Sequence, residues 1–164
     1  MNYKIKTVDK SDFDFLLSLN QKTLPEVSST DLVGMSYFLK NSSYFKIILH
    51  NNNPVGFCIG LMPGKDYSSE NYIWINKKCN SFIYVDRIVI DEKYRNRGIG
   101  SYFYTHLAKT YYGQVESITC EVNILPYNKP SINFHKKYGF KEIGQKDTEN
   151  GKKRVSYMIY KIAL

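Results

Sequence analysis

The sequence predicts an α/β domain of the α+β kind, with a mixed, mostly antiparallel central sheet of about six to seven strands flanked by about four helices. Three observations predict it. The 164 residues are one domain's worth of chain, with 43% hydrophobic and 23% charged residues, near the globular average. Strand-like runs recur along the chain, and two pairs of them are joined by strong turn signals, which makes antiparallel hairpins. Finally, residues 82–122 read as strand, amphipathic helix and strand, a crossover that pairs its two strands in parallel.

Taken in order, residues 3–8 read as a short strand, and Ser11 or Asp12 offers an N-cap for a helix carrying Phe13, Leu16, Leu17 and Asn20 at helical spacing. Pro25 breaks that pattern, so 23–28 is a loop. A second helix fills 29–39, with Leu32, Val33, Tyr37 and Phe38 as its apolar face. Runs 44–50 and 55–61 form a hairpin through Asn51-Asn52-Asn53-Pro54. From 63 to 80 the pattern turns irregular, with Tyr67, Tyr72 and the only tryptophan, Trp74, in a long loop of the sort kept for function.

Residues 82–90, FIYVDRIVI, form an almost unbroken β-branched and aromatic run, which predicts a central strand buried on both faces. Ile99, Tyr102, Phe103, His106, Leu107 and Thr110 then recur at helical spacing in a helix that closes at Gly113. A strand follows at 115–122. Asn128 caps a last helix with Pro130 in its first turn and Gly139 as its stop. Strands 140–145 and 154–162 close the chain through Glu149-Asn150-Gly151. One domain spans 1–164 in this reading.

Composition narrows the function. Three cysteines without a C-x-x-C or clustered histidines support neither a disulfide framework nor a structural zinc site, and no metal is expected. No run approaches a membrane span, and the polar start lacks the apolar core of a signal peptide, which predicts a cytoplasmic protein. The net charge of +8 is uneven. Residues 1–82 carry 9 basic and 7 acidic side chains, residues 83–164 carry 14 and 8, so the second half holds +6 and is the half expected to meet an anion. Nucleic acid, an anionic surface and a phosphorylated cofactor all satisfy that charge.

The turn between the central strand and its crossover helix, Asp91 to Ser101, favours the third. At a helix start, unpaired N–H groups and the helix dipole attract phosphate oxygens. Gly98 and Gly100 remove the Cβ atoms that would block the approach, and Arg95 and Arg97 add charge at the rim. A plain loop is the other reading of the same residues. No Gly-Lys-Ser/Thr follows, and only two glycines of the dinucleotide fingerprint are present.

The stretch Arg95-Asn96-Arg97-Gly98-Ile99-Gly100 resembles the R/Q-x-x-G-x-G/A motif of the GNAT superfamily of acyl-CoA-dependent N-acetyltransferases. Residues 84–107 are similar to that family's motif A. Asn128-x-x-Ser131 with Phe134-His135-Lys136-Lys137-Tyr138-Gly139-Phe140 is similar to its motif B, and the order of elements agrees across the chain. The resemblance implies a GNAT-like sheet whose parallel pair is splayed, with acetyl-CoA lying between strands 82–90 and 115–122. It implies that backbone groups of Ile88, Val89 and Ile90 bind the pantetheine arm, and that amides of Arg95, Asn96, Arg97, Gly98, Ile99, Gly100 and Ser101 hold the pyrophosphate. Asn128, Ser131 and Phe134 match positions that line the cofactor's other side.

Acetyl transfer to an amine needs a neutral nucleophile, a polarised carbonyl and a proton for the departing thiolate. Where the family usually carries a tyrosine acid this chain has His135, whose ordinary pKa of about 6.5 suits a proton donor. Asp86 and Glu121, on the two strands of the crossover, are the candidate bases. Each matches an acidic position found within the family, and a carboxylate in an apolar strand costs free energy unless it has a partner or a task. Arg87 beside Asp86 equally fits a structural ion pair.

The resemblance further implies an amine-bearing acceptor, met by the loop 23–28 and by 63–80, with Glu26, Glu70, Tyr67, Tyr72 and Trp74 as candidate contacts, and it allows a homodimer. Two other functions compete: an acyl-CoA-binding sensor without transfer, and a basic nucleic-acid-binding module, against which stands the lack of an RNP-like aromatic pair or helix-turn-helix. No nucleic acid or membrane partner is expected. His50, His106 and the cysteines have no partner at a telling spacing and are expected to be structural.

Overall fold

Seven strands and five helices make up the computed structural model, which describes residues 3–163. The strands are β1 (Tyr3–Thr7), β2 (Tyr44–His50), β3 (Asn53–Leu61), β4 (Phe82–Ile90), β5 (Ser117–Leu125), β6 (Lys141–Thr148) and β7 (Lys153–Lys161). The helices are α1 (Phe13–Lys22), α2 (Leu32–Asn41), α3 (Glu70–Lys78), α4 (Ile99–Tyr111) and α5 (Lys129–Tyr138). One sheet runs in the order β1-β2-β3-β4-β5-β7-β6. The β4 and β5 strands are parallel, while β1–β2, β2–β3, β5–β7 and β6–β7 are antiparallel. The mixed sheet and its parallel pair are as the sequence predicts, with α3 as an additional helix. By contacts the chain divides into two units, Met1–Leu61 with Arg87–Leu107, and Met62–Asp86 with Ala108–Leu164.

In the first unit the β2–β3 hairpin turns through Asn51 and Asn52, both with positive φ (49° and 65°), the conformation that tight hairpins require and asparagine tolerates. Asp12 stands at the N-cap of α1 but makes no side-chain cap bond; Asp9 caps the preceding 3-10 turn instead, and Asp12 reaches back to the Asp9 N–H. Asp12 also holds Lys6 at 2.8 Å. The second helix starts later than its apolar pattern implies, at Asp31, whose carboxylate accepts from the Gly34 N–H. Its inward residues are therefore Met35 and Phe38, while Leu32 and Val33 are exposed. The stripe on α4 is likewise rotated: Tyr102 is exposed, and Ile99, Phe103, Tyr104, Leu107 and Ala108 are buried.

Arg87 on β4 is buried in this unit. Its guanidinium donates to Asn20 Oδ1 at 2.8 Å and to the Ser28 carbonyl at 3.0 Å, and lies 5.3 Å from the Phe38 ring centroid. Arg87 thus has a structural role in this unit, tying α1 to the segment after it.

In the second unit, β4 and β5 pair from Phe82↔Ser117 to Val85↔Cys120, and β5 continues along β7. The irregular reading of 63–80 is corrected here: Ser69 caps α3 through the Tyr72 N–H, Glu70 stands in its first turn, and Lys77 and Lys78 in its last. Only Tyr72 and Ile75 of its nine residues are buried, which is why no apolar stripe announces it. The last helix is capped as expected, with Asn128 Oδ1 accepting from the Ser131 N–H at 3.2 Å and Gly139 at its end. The final hairpin turns at Glu149–Gly151, and β6 extends beyond the expected residue 145 to Thr148, where Lys146, Asp147 and Thr148 pair with Val155, Arg154 and Lys153 of β7.

Candidate active site

The two candidate bases come together in the second unit. Asp86 and Glu121 follow directly on the last residues paired between β4 and β5, Val85 and Cys120. Two residues earlier on each strand, and therefore on the same face, stand Tyr84 and Thr119, themselves a register pair and both fully buried. Tyr84 Oη, Thr119 Oγ1 and Glu121 Oε2 are shielded from solvent without hydrogen-bond partners. Three such atoms on one patch of sheet are a departure from the usual satisfaction of buried polar groups, and departures of this kind collect where a ligand or water is received.

Burial dominates the electrostatics. Removal from water, reinforced by the nearby charge of Asp86 and offset in part by the neighbouring Tyr84 hydroxyl and by the hydrogen bond from Asn71, raises Glu121 from 4.5 to about 8. Tyr84 is pushed well above its ordinary value by burial first and by both carboxylates second, so its hydroxyl stays protonated.

The segment 62–78 closes over these residues. Tyr67 donates its hydroxyl proton to Asp86 Oδ1 at 2.5 Å. Tyr72 stacks edge-on against Tyr84, ring centroids 5.4 Å apart, and its hydroxyl donates to the Met62 carbonyl while accepting from the Lys65 N–H. Asn71 donates to Glu121 Oε1 at 3.2 Å and accepts from the Tyr157 hydroxyl at 2.9 Å. Trp74 lies flat on the Tyr157 ring. Of the acceptor-side candidates, Tyr67, Tyr72 and Trp74 belong to this cluster. Glu70 is exposed and ion-paired with Lys146 at 3.0 Å, and Glu26 is exposed in the first unit. Sequence reading missed Tyr84, Asn71, Thr119 and Tyr157, whose shared face appears only once the strands are in register.

His135, also in the second unit, is 3% exposed. Its Nδ1 lies 2.7 Å from the Ser131 carbonyl oxygen, and the ring sits between Phe134 and Phe140, with centroids 5.0 and 5.1 Å away. Burial lowers it from 6.5 to about 4, against a smaller opposing effect of the bond to Ser131. At neutral pH the ring is uncharged: Nδ1–H donates to the carbonyl and Nε2 carries no proton. Asn128 caps this helix, Ser131 lies one turn before His135, and Phe134 flanks the ring.

The phosphate-loop candidates lie in the first unit. Ile88, Val89 and Ile90 complete β4, with the Val89 side chain buried. Arg95 Nε donates to the Ile90 carbonyl at 3.2 Å, Arg97 stacks over Tyr94 at 5.3 Å, and Asn96 has φ 60°. The helical ladder opens with the Tyr102 N–H on the Gly98 carbonyl, so Ile99, Gly100 and Ser101 bear the first-turn N–H groups that have no intrahelical acceptor. Gly98 has φ 79°, and a Cβ built on it would meet nothing within 4 Å. That open, donor-rich helix start fits an anionic diphosphate. Among the described residues no group of three His, Cys, Asp or Glu side chains is placed to hold a metal ion, and no helix is long and apolar enough to cross a membrane.

This assembly of motifs and geometry has relatives. The chain matches the Acetyltransferase (GNAT) family over residues 13–140, and it belongs to that family. No curated protein sequence matches it. Solved structures share its fold at low identity. Ard1 from Thermoplasma volcanium aligns over 100% of both chains with a TM-score of 0.79 and 17% identity. Arabidopsis thaliana NAA60, in complex with a bisubstrate analogue, aligns over 98% of both with 0.78 and 16%. The ribosomal-protein-S18-alanine N-acetyltransferase from Escherichia coli aligns over 99% of this chain and 96% of its own, with 0.74 and 15%. NAA60 is also known in complex with acetyl-CoA.

Proposed function

We propose that the protein is an acetyl-CoA-dependent N-acetyltransferase acting on a primary amine of a small molecule, peptide or protein. The observation that carries this reading is Glu121, whose unpartnered Oε2 is kept out of solvent beside Asp86 on a patch of other unsatisfied polar atoms. When bound, acetyl-CoA supplies the thioester that the amine attacks. The N–H groups of Ile99, Gly100 and Ser101, with Arg95 and Arg97, hold its pyrophosphate.

Asp86 and Glu121 attract the incoming ammonium, and that positive charge favours the ionised form of Glu121. Glu121 Oε2 takes one proton from the ammonium, the freed lone pair forms the new bond to the acyl carbon, the carbon–sulfur bond breaks with its electrons on sulfur, and the second proton that the nitrogen sheds as the amide forms passes through water to the thiolate. Asp86, fixed by Tyr67, holds the acceptor's charge near the base. His135 enters as a neutral packed ring that shapes α5, because its uncharged form has no proton to give at Nε2.

The test is thiol release from acetyl-CoA with a panel of amines and N-terminal peptides. Transfer to at least one amine is expected, with a loss of roughly 100-fold or more in Glu121→Gln and little change in CoA affinity by calorimetry. Tight CoA binding with no release for any acceptor would overturn the reading and leave a sensor.

A further inference from the structure

Asn71 joins two groups that lie far from it in the chain, Glu121 and Tyr157. These two are direct partners in the β5–β7 ladder, so their side chains share one face of the sheet. An amide presents a donor at one end and an acceptor at the other, and the phenol hydroxyl, donating to Oδ1, settles which end meets the carboxylate. Trp74, one turn along α3 from Asn71, lies on the Tyr157 ring with centroids 3.9 Å apart and 8° between planes, and so fixes the phenol. We propose that Asn71 is the positioning residue of this active site: the Trp74–Tyr157 stack sets the phenol, the phenol sets the amide, and the amide holds Glu121 Oε1 so that Oε2 is the oxygen left to take the acceptor's proton.

This inference rests on Glu121 acting as the base. The titratable groups facing Glu121 are Tyr84 and Asp86 from β4 and Tyr157 from β7, with Glu70 of α3 acting on Tyr157. Of these, Asp86 opposes ionisation of Glu121, whereas the Asn71 amide favours it. Removing the amide should therefore leave a base that is harder to ionise, and at neutral pH less of it would be in the working form.

The experiment titrates the Glu121 carboxyl by NMR in protein labelled at glutamate, with kinetics in parallel. Losing a hydrogen bond to a charged group moves a midpoint by about one unit. In Asn71→Ala the Glu121 midpoint rises by that amount, and kcat/KM at pH 7 falls about tenfold through the lost ionised fraction. In a Glu121→Gln background Asn71→Ala has no further effect. Tyr157→Phe, which keeps the ring stack, moves the midpoint the same way by less, and carries the test if Asn71→Ala does not fold. An unmoved midpoint in both variants, or the same kinetic loss with and without Glu121, overturns the proposal. A shifted midpoint in a protein that acetylates nothing upholds the positioning and removes the catalytic reading, so the two failures are distinguishable.

Discussion

Gly144 on β6 lies beneath the indole of Trp74, so close that a Cβ there would sit 2.7 Å from both Cη2 and Cζ2 of the ring. The strand bulges between Glu142 and Gly144, and the indole in turn covers Tyr157. Gly144→Ala is expected to push the indole off its seat at a cost of roughly 1–3 kcal/mol, the usual range for overpacking. A melting curve reads this as a Tm lower by several degrees, at about 2–4 °C per kcal/mol for a chain of this size. An unchanged Tm would show that the indole has room to move.

Stability should depend on pH in two opposed ways. Glu121, raised to about 8, stays protonated in the folded chain where the unfolded chain has lost the proton, so stability falls as pH rises from about 4.5 to 8. His135, lowered to about 4, does the reverse: stability falls as pH drops from 6.5 to 4, and His106, also lowered by burial, acts in the same sense. The effects oppose each other below 6.5, and Glu121 acts without the histidines above it. Between pH 6.5 and 8 the wild type is expected to lose up to about 1.4 kcal/mol per unit, while Glu121→Gln is flat. Thermal melts across that interval check it, and the same proton makes kcat/KM rise with pH to a plateau above about 8.

A side chain at Gly98 would point into open space, so its effect should fall on ligand binding and on the strained backbone at φ 79°, with no clash inside the protein. Gly98→Asn, which suits the left-handed region, separates the two. Calorimetry is expected to show CoA affinity at least tenfold weaker, about 1.4 kcal/mol, with Tm close to wild type. Unchanged affinity would remove the phosphate site from this turn.

His135→Phe is expected to keep turnover within about twofold at saturating acetyl-CoA, because a neutral ring held by a helix carbonyl is not among the proton donors that contribute 100-fold or more. A large loss in kcat, with CoA affinity preserved, would return the histidine to the role of acid.

Much of the fold was legible because its signals are local. Asn51-Asn52 and Glu149-Asn150-Gly151 announce their turns, Asn128 and Gly139 their helix, and the apolar run 82–90 its central strand. Helix α3 stayed hidden because two buried residues in nine make no stripe; its legible marks were Ser69, Glu70 and the pair Lys77 and Lys78 at its ends. The carboxylates were readable as charges out of place in apolar strands. Their surroundings were not, since Asn71 meets Glu121 across 50 residues and Tyr157 across 86, and only strand register brings those positions to one face. His135 was placed correctly in its helix, but its protonation follows from burial between Phe134 and Phe140, which sequence spacing does not report.

A single excursion of the chain between β3 and β4 provides Tyr67, Asn71, Tyr72 and Trp74. Descendants of such a gene can therefore change what stands over the carboxylates by insertions and deletions in one surface stretch, with the glycine-bearing turn after β4 left intact. On the proposed function, acceptor choice and acyl-donor binding are then separable targets for mutation. An engineer seeking a new acceptor would exchange residues 62–79 as a cassette before touching any strand.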